Sequence, residues 1–138
     1  PVGLAVDGSA SNDGSSLLEE LRTAYLLHRL HSSERAPSGY DLLKIATRGS
    51  ARVLGRADIG SLEPGKAGDL FMIRRDRLEL VGADLDVKSM LGTVGFKGPV
   101  DATVVNGRVV VKDGRLTGID EEKAVREARA CCQAYLNR

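Results

Sequence analysis

The feature that most constrains the fold lies at the beginning of the sequence, where an apolar run leads through a polar loop into an amphipathic helix. Val2 to Val6 is a short, nearly continuous apolar run, typical of a strand covered on both faces in a parallel sheet. Asp7 to Gly14 is rich in Gly, Ser and Asn, which tolerate tight turns and cap helices. The pattern predicts one βα unit, and parallel sheets bind ligands at the carboxyl ends of strands, where this loop lies.

Two helical regions follow the loop. The first is predicted from about Ser15 to His31, because apolar residues recur three and four positions apart along it. They form one stripe, consisting of Leu17, Leu18, Leu21, Ala24, Tyr25 and His28. In the second region, Ser38 followed three residues later by Asp41 forms a capping-box pattern. We expect Gly49 to interrupt this second helix and Gly55 to end it.

The next part of the sequence predicts a small β-layer. An apolar strand is expected to begin near Asp69, after a stretch rich in glycine. Asn106-Gly107 lies between two β-branched runs and suits a type I′ turn, whose two central residues need positive φ. Asp113-Gly114 supplies another turn shortly afterwards.

The tail, from Asp120 to about Asn137, predicts an amphipathic helix that closes the chain. Its inward face is expected to consist of Val125, Ala128, Cys132, Tyr135 and Leu136. Cys131 and Cys132 are adjacent on this helix and point in different directions, so they form neither a CxxC metal site nor a disulfide framework. We expect them to be semi-buried residues in a reducing, cytoplasmic environment.

Composition excludes several classes of function. The chain has 138 residues, 28% of them charged, and a formal net charge of +1 without any basic block. This balance gives no electrostatic basis for binding nucleic acid. No apolar run approaches the roughly 18 residues that span a bilayer, so we expect no membrane partner. The length fits one ordinary domain or two small pieces of a larger one.

Asp7 is the first candidate for chemistry. A carboxylate just past a buried strand is where parallel α/β enzymes keep a catalytic or metal-binding group. Asp also caps turns well, and this alternative stays open from the residues alone. Asn12 and Asp13 lie in the same loop; we expect Asp13 or a nearby Ser to cap the following helix and Asn12 to help order the loop.

Other candidates are weaker. His28 and His31 are three positions apart on one predicted helix, yet no HExxH pattern or nearby carboxylate completes a metal site, so we interpret them as surface and seam residues. No Ser lies in a GxSxG motif, and the glycines around Lys66 lack the GK[ST] ending of a phosphate loop. We expect Lys66 to be solvated and residues 74–77 to form an exposed bend.

Three stretches, taken in order, resemble one family of enzymes. VGLAVDGSASND is similar to the end of the eighth barrel strand and its loop in metal-dependent amidohydrolases of the chlorohydrolase and nucleobase-deaminase branch. Within it, VDGSASND most resembles the 8-oxoguanine deaminase group. IATRGSARVLGRADIGSLEPGKAGDLFMI resembles the segment that leaves the barrel and enters a small β-sandwich. VVNGRVVVKDGRLTGIDEEKAVREARA resembles the closing hairpin and carboxy-terminal helix.

The resemblance implies an α/β protein that contains the end of a (β/α)₈ barrel, part of a small β-sandwich and a closing helix. The implied boundaries are residues 1–56, 57–119 and 120–138. A closed barrel of this type typically needs about 250 residues, and the family's further histidine ligands cannot be assigned here. We therefore expect this chain to be the carboxy-terminal portion of a longer enzyme and to be inactive in isolation.

The resemblance also implies a function for Asp7, which matches the family's strand-eight aspartate. That residue ligates a divalent metal and takes a proton from the attacking water, so Asp7 is expected to be both catalytic and metal-ligating. The implied cofactor is one divalent metal, zinc in preference to iron. The implied reaction is deamination of a purine-like or triazine-like ring by metal-activated water. The substrate-binding residues stay unknown, and a homo-oligomer is expected for the intact enzyme.

A second hypothesis belongs to a different class of protein. The chain could be a non-catalytic folded module used for assembly, in which Asp7 is only a turn residue. The enzymatic hypothesis predicts metal in the intact protein and histidine ligands outside this chain. The module hypothesis predicts a self-sufficient fold without metal.

Overall fold

The structure is a computed structural model, and it describes residues 1–8, 11 and 14–137. The chain divides into two compact units. The first consists of residues 1–67 and 74–98, and the second of residues 68–73 and 99–138. The first unit is mostly helical, and the second contains an antiparallel sheet and a long helix. The mixed α/β class expected from the sequence is therefore confirmed.

The described residues of the first unit form four α-helices. They are α1 (Leu17–Ser32), α2 (Gly39–Lys44), α3 (Ser50–Val53) and α4 (Met90–Thr93). Short 3₁₀ turns lie at Ser33–Arg35, Leu78–Leu80 and Ala83–Asp86. α1 begins at a serine cap, because the Ser16 hydroxyl accepts a hydrogen bond from the Glu19 N–H at 3.4 Å. The helix predicted from about 15 to 31 is confirmed, and a serine caps it as expected.

The capping box predicted before α2 is present. The Ser38 hydroxyl accepts a hydrogen bond from the Asp41 N–H at 3.1 Å, and the Ser38 N–H donates to Asp41 Oδ2 at the same distance. Lys44 Nζ lies 2.7 Å from Asp41 Oδ1. The hydrogen bond from Lys44, followed by those from Ser38, lowers the pKa of Asp41 from its ordinary 3.8 to about 2.

The prediction that Gly49 interrupts the second helix is wrong. Gly49 has helical dihedral angles (φ −65°, ψ −50°), and a π-helical turn, Ile45–Gly49, joins α2 to α3 without a break. A Cβ on Gly49 would lie 2.2 Å from the Val2 carbonyl oxygen. The residue is a glycine because another backbone approaches the helix there.

Gly55 ends the helix, as predicted. Its φ of 67° is left-handed, the Gly55 N–H donates to the Arg52 carbonyl at 3.1 Å, and the Arg56 N–H donates to the Ala51 carbonyl at 3.0 Å. These two bonds form a Schellman motif, which satisfies carbonyl groups that the end of a helix otherwise leaves free.

The core of the first unit lies where α1, α2 and α4 pack against one another. Each helix contributes a buried side chain, namely Leu21, Leu42 and Met90, and the connecting segments contribute Leu80 and Phe96. Burying an aliphatic or aromatic side chain of this size contributes about 1.5–3 kcal/mol. The small hydrophobic core therefore accounts for the close packing of these three helices.

The apolar stripe predicted on α1 is only partly buried. Leu21 is 2% exposed, and its neighbours Leu18, Ala24 and Tyr25 are half-buried. Leu17 and His28, at the two ends of the stripe, are exposed. The helix therefore buries the middle of its apolar face.

The bend at residues 74–77 is mostly exposed, as expected. Arg74 makes a surface ion pair with Asp76, with Nη2 2.7 Å from Oδ2. Arg77 is the exception, because it is half-buried and its guanidinium carbon lies 4.9 Å from the centroid of the Phe96 ring.

The sheet of the second unit has four antiparallel strands in the order of the sequence. They are β1 (Leu70–Met72), β2 (Ala102–Val105), β3 (Arg108–Lys112) and β4 (Arg115–Leu116). The expected strand near Asp69 is thus present. Asn106 (φ 48°) and Gly107 (φ 78°) join β2 to β3, so the predicted turn with two positive φ angles is confirmed.

Hydrogen bonds to Asp69 and Asp101 hold the two β-turns; at the second, the Gly114 N–H donates to the Asp101 carbonyl oxygen at 3.2 Å. The Asp69 carboxylate accepts a hydrogen bond from the Asn106 N–H at 2.6 Å at the first turn. Asp113 (φ 51°) and Gly114 (φ 75°) form the second turn, between β3 and β4, as predicted. The register of β2 and β3 shifts beside Thr103, which marks a β-bulge.

Helix α5 (Glu121–Leu136) begins at Asp120, whose carboxylate accepts a hydrogen bond from the Lys123 N–H at 2.9 Å. The helix is confirmed, but its predicted inward face is wrong: Val125 is 50% exposed, Tyr135 75% and Leu136 79%. Cys131 and Cys132 are free and exposed instead of semi-buried. The periodicity identified the apolar face correctly, but no described residue covers that face.

The predicted strand at residues 2–6 is not a strand in this structure. A strand is defined by a hydrogen-bonded ladder with a neighbour, and none of the described residues forms a ladder with this run. The described sheet is single and antiparallel, and the barrel-end and sandwich architecture stays a prediction. Among the helices described, none is long and apolar enough to cross a membrane.

Candidate functional site

Asp7 stands in an uncommon backbone conformation. Its φ of 62° lies in the left-handed region, which few residues other than glycine adopt and in which Asp is several-fold enriched. The side chain is exposed, and Oδ1 accepts a hydrogen bond from the Gly8 N–H at 2.7 Å. The backbone N–H of the next residue therefore orients the carboxylate, which is exposed to solvent.

The segment before Asp7 is fixed by a side chain that is distant in sequence. The Leu4 N–H donates to the Ser50 hydroxyl oxygen at 3.1 Å, and that hydroxyl lies 3.4 Å from the Leu4 carbonyl oxygen, within donating distance. The two residues are 46 positions apart. One hydroxyl group thus serves both backbone groups of Leu4, in the way that a neighbouring strand would.

Two glycines allow this approach. The Gly49 Cα faces the Val2 carbonyl oxygen so closely that no side chain fits between them. On the facing segment, a Cβ on Gly3 would lie 2.9 Å from the Ser50 Oγ. Residues 1–8 therefore lie directly against the helical region at Gly49 and Ser50, and this contact fixes the start of the segment that ends in Asp7.

The other residues singled out in the sequence do not join Asp7 in a site. Asn12 and Asp13 lie outside the described residues. His28 and His31 are both exposed. Lys66 is less solvated than expected, because its side chain is 26% exposed and its ammonium donates to the Ser61 hydroxyl oxygen at 2.6 Å.

Asp7 is chemically suited to bind a divalent metal, because carboxylate oxygens are zinc ligands. A zinc site needs about four ligands. The described part of the chain contains no group of three or more His, Cys, Asp or Glu side chains that could hold an ion. Asp7 therefore fits as one ligand of a metal, and the described residues do not complete a site.

Comparison with known proteins identifies the family. The profile described as the amidohydrolase family matches residues 1–110 of the chain. The chain belongs to the amidohydrolase family. The resemblance inferred from the three sequence stretches is thereby confirmed.

Individual relatives belong to the chlorohydrolase and deaminase branch of this amidohydrolase family. The chain is 48% identical over 130 residues to hydroxydechloroatrazine ethylaminohydrolase of Pseudomonas sp. (strain ADP), covering 92% of this chain and 27% of that protein. It is 39% identical over 136 residues to 8-oxoguanine deaminase of Pseudomonas aeruginosa, covering 99% of this chain and 30% of the deaminase.

Solved structures that resemble this chain also include a chlorohydrolase and a deaminase. A mutant of atrazine chlorohydrolase TrzN from Arthrobacter aurescens TC1, complexed with zinc and atraton, matches with a TM-score of 0.81 and 42% identity over 89% of this chain and 28% of that chain. An adenosine deaminase from Xanthomonas campestris with bound zinc matches with a TM-score of 0.84 and 28% identity, over 95% and 30%. The chain thus spans between 27% and 30% of the length of these four proteins.

Sequence reasoning missed the role of Gly49 and Ser50. We interpreted the glycine as a helix break, whereas it permits a backbone contact and the following serine completes that contact. Two small residues inside a helical pattern are a usable signal of such an approach. The pattern alone does not identify the approaching segment, because Leu4 is far away in sequence.

Proposed function

We propose that this chain is part of a metal-dependent aminohydrolase that deaminates a purine-like or triazine-like ring. The observation that carries the proposal is the position of Asp7, an exposed carboxylate in a left-handed conformation at the end of an anchored segment. Membership of the amidohydrolase family supports it, as does the similarity to enzymes named for 8-oxoguanine and for hydroxydechloroatrazine.

In this proposal Asp7 has two functions. Its carboxylate would hold a divalent ion through one oxygen, and it would accept a proton from the attacking water and return it to the departing amine. A bound divalent ion lowers the pKa of water from about 15.7 to about 7. The Gly8 N–H, bonded to Oδ1, holds the carboxylate in one orientation. Zinc is the proposed metal, because solved relatives contain it.

The remaining parts of the proposal concern architecture. Residues 1–56 form the last βα unit and following helices of a (β/α)₈ barrel, 57–119 part of a β-sandwich, and 120–138 the closing helix. The other metal ligands come from outside this chain. The substrate-binding residues are unknown, and the loops that contact the ring come mainly from outside this chain. The partly exposed apolar run at residues 2–6 would then pair with neighbouring strands of the barrel. The intact enzyme is a homo-oligomer in this proposal.

The proposal is tested on the complete product of the gene that encodes this chain. The purified protein should release ammonia from 8-oxoguanine or from an amino-substituted triazine, should lose that activity after treatment with a chelator, and should recover it on addition of zinc. The 138-residue chain alone serves as the control and should release none. Absence of ammonia release from every ring tested, or full activity in metal-free protein, would contradict the proposal.

A further inference from the structure

A cavity of about 470 Å³ opens on the first unit at the carboxyl end of α3. Its floor is small and partly apolar, formed in part by Ala51 and Ile59. The ionisable residues that line its wall carry an excess of positive charge. They are Arg48, Arg52, Arg56, Lys66 and, as the one acidic residue among the described lining, Glu63.

Two of these cations are already neutralised. Arg56 makes a bidentate contact with Asp58, in which Nε donates to Oδ1 at 2.9 Å. Lys66 Nζ lies 3.6 Å from Glu63 Oε2. The hydrogen bond from Ser61, followed by the charge of Lys66, lowers the pKa of Glu63, so that carboxylate stays ionised near neutral pH.

Arg48 and Arg52 make no ion pair of this kind, although the charge of Arg48 also helps to lower the pKa of Glu63. Within the described part of the chain, neither guanidinium has a carboxylate within ion-pair distance. They are four positions apart, and Arg52 Nε donates to the Arg48 backbone carbonyl at 3.4 Å, which holds the second guanidinium against the helix backbone. Two like charges at this spacing on a helix repel each other.

We infer that this cavity binds a doubly charged oxyanion of the phosphate type between Arg48 and Arg52. Guanidinium groups offer planar pairs of N–H donors that match the oxygens of such an anion, and charge-assisted bonds of this kind are strong. A dianion matches the two positive charges that remain after the pairs with Asp58 and Glu63 are counted. The cavity is concave, which raises the local potential and favours an anion there.

The competing explanation is that the arginines only offset the negative end of the helix dipole. The two explanations differ in a measurable way. Compensation of the dipole stabilises the chain whether or not phosphate is present. A binding site gives stabilisation that depends on phosphate concentration and saturates.

The test is a titration of the complete product of the gene that encodes this chain with inorganic phosphate at constant ionic strength, followed by ³¹P NMR and by thermal unfolding. We expect saturable binding and a rise in Tm with phosphate. Arg48→Gln and Arg52→Gln should each weaken binding about tenfold, the loss expected for one charge-assisted hydrogen bond. Arg75→Gln is the matched control and should bind like the wild type, because Arg75 is exposed and does not line the cavity.

A conservative variant keeps the test informative if either glutamine variant fails to fold. Arg52→Lys retains the charge and loses the planar donor pair, so it should weaken binding and leave Tm in phosphate-free buffer unchanged. The inference is overturned if wild-type chain shows no saturable response to phosphate, or if the Arg48 and Arg52 variants respond to phosphate like the Arg75 variant. It does not depend on the proposed deaminase activity, since no step of the test measures turnover.

Discussion

Two aspartates that precede a glycine, Asp7 and Asp113, share a left-handed φ in different surroundings. Asp113-Gly114 joins the paired strands β3 and β4, and its positive φ angles are what a tight hairpin turn requires. Asp7 has a similar φ, 62° against 51°, yet no described strand pairs on either side of it. The left-handed conformation of Asp113 is explained by its turn. No described strand pairing explains that of Asp7, which we propose to be a functional position.

The two regions also differ in what holds them. The hairpins are held mainly by ladders of hydrogen bonds with neighbouring strands, and Asp69, 37 positions away, adds one bond at the Asn106 turn. Residues 1–8 depend on Gly49 and Ser50, which lie more than forty positions away. Variants in each region should therefore produce separable effects, and the predictions below go from the largest change in stability to the smallest.

The largest change is expected in the β2–β3 hairpin. Replacing Asn106 and Gly107 together by alanine forces two residues with Cβ atoms into the left-handed region, at a cost of about 1–2 kcal/mol each. Urea unfolding should show this loss, and hydrogen exchange of the Leu4 amide should stay unchanged. Gly118→Ala is the control, because its Cβ would meet nothing within 4 Å. Faster exchange at Leu4 would mean that the two regions are coupled.

Gly49→Ala tests the contact between residues 1–8 and the helical region at Gly49 and Ser50. Alanine normally stabilises a helix relative to glycine, but here its Cβ would meet the Val2 carbonyl. We expect a net loss of about 1–3 kcal/mol, the usual cost of overpacking. Leu4 exchange should accelerate and the amides of the β2–β3 hairpin should not change. A gain in stability would show that residues 1–3 move away from the helix at no cost.

Ser50→Ala removes the hydroxyl that serves both backbone groups of Leu4. The expected loss is about 1 kcal/mol, the net value of a hydrogen bond to a part-buried group. Thr47→Ala is the matched control, since the Thr47 hydroxyl donates only within its own helix, to the Leu43 carbonyl at 2.8 Å. Equal Leu4 exchange rates in the two variants would show that Ser50 does not position Leu4.

The smallest effect concerns pH and the start of α2. Asp41 has a folded-state pKa of about 2, below its ordinary 3.8, so its ionised form favours the folded state. The stability difference between the wild type and Asp41→Asn should be fully present above pH 3.8 and should shrink as the pH falls towards about 2. Urea unfolding at a series of pH values measures it. A difference that stays constant through this range would contradict the assigned shift.

Much of the fold could be predicted because the deciding contacts are short-range. The cap of α2 needs only Ser38 and Asp41, and the first hairpin could be predicted from Asn106 and Gly107 between two suitable runs, although Asp69 also holds that turn. The helix end at Gly55 could be predicted for the same reason, because its hydrogen bonds reach back only three and five residues.

The errors share a different physical origin. The apolar run at 2–6 was predicted to pair with strands, and the apolar face of α5 was predicted to be covered, but the described residues provide neither partner. Gly49 was misinterpreted because its partner, Val2, lies far away in sequence. For the site, the sequence indicated Asp7, but a lone carboxylate could not specify the other ligands or the substrate.

The most direct test compares Asp7→Asn with Asp113→Asn in the complete product of the gene. Asn tolerates the left-handed region as Asp does, so both substitutions keep the backbone and remove one exposed negative charge. We predict that kcat/KM for ammonia release falls at least about 100-fold in the first variant, as expected for loss of a general base, and is unchanged in the second. Wild-type kinetics in Asp7→Asn, or equal losses in both variants, would contradict the assignment of Asp7.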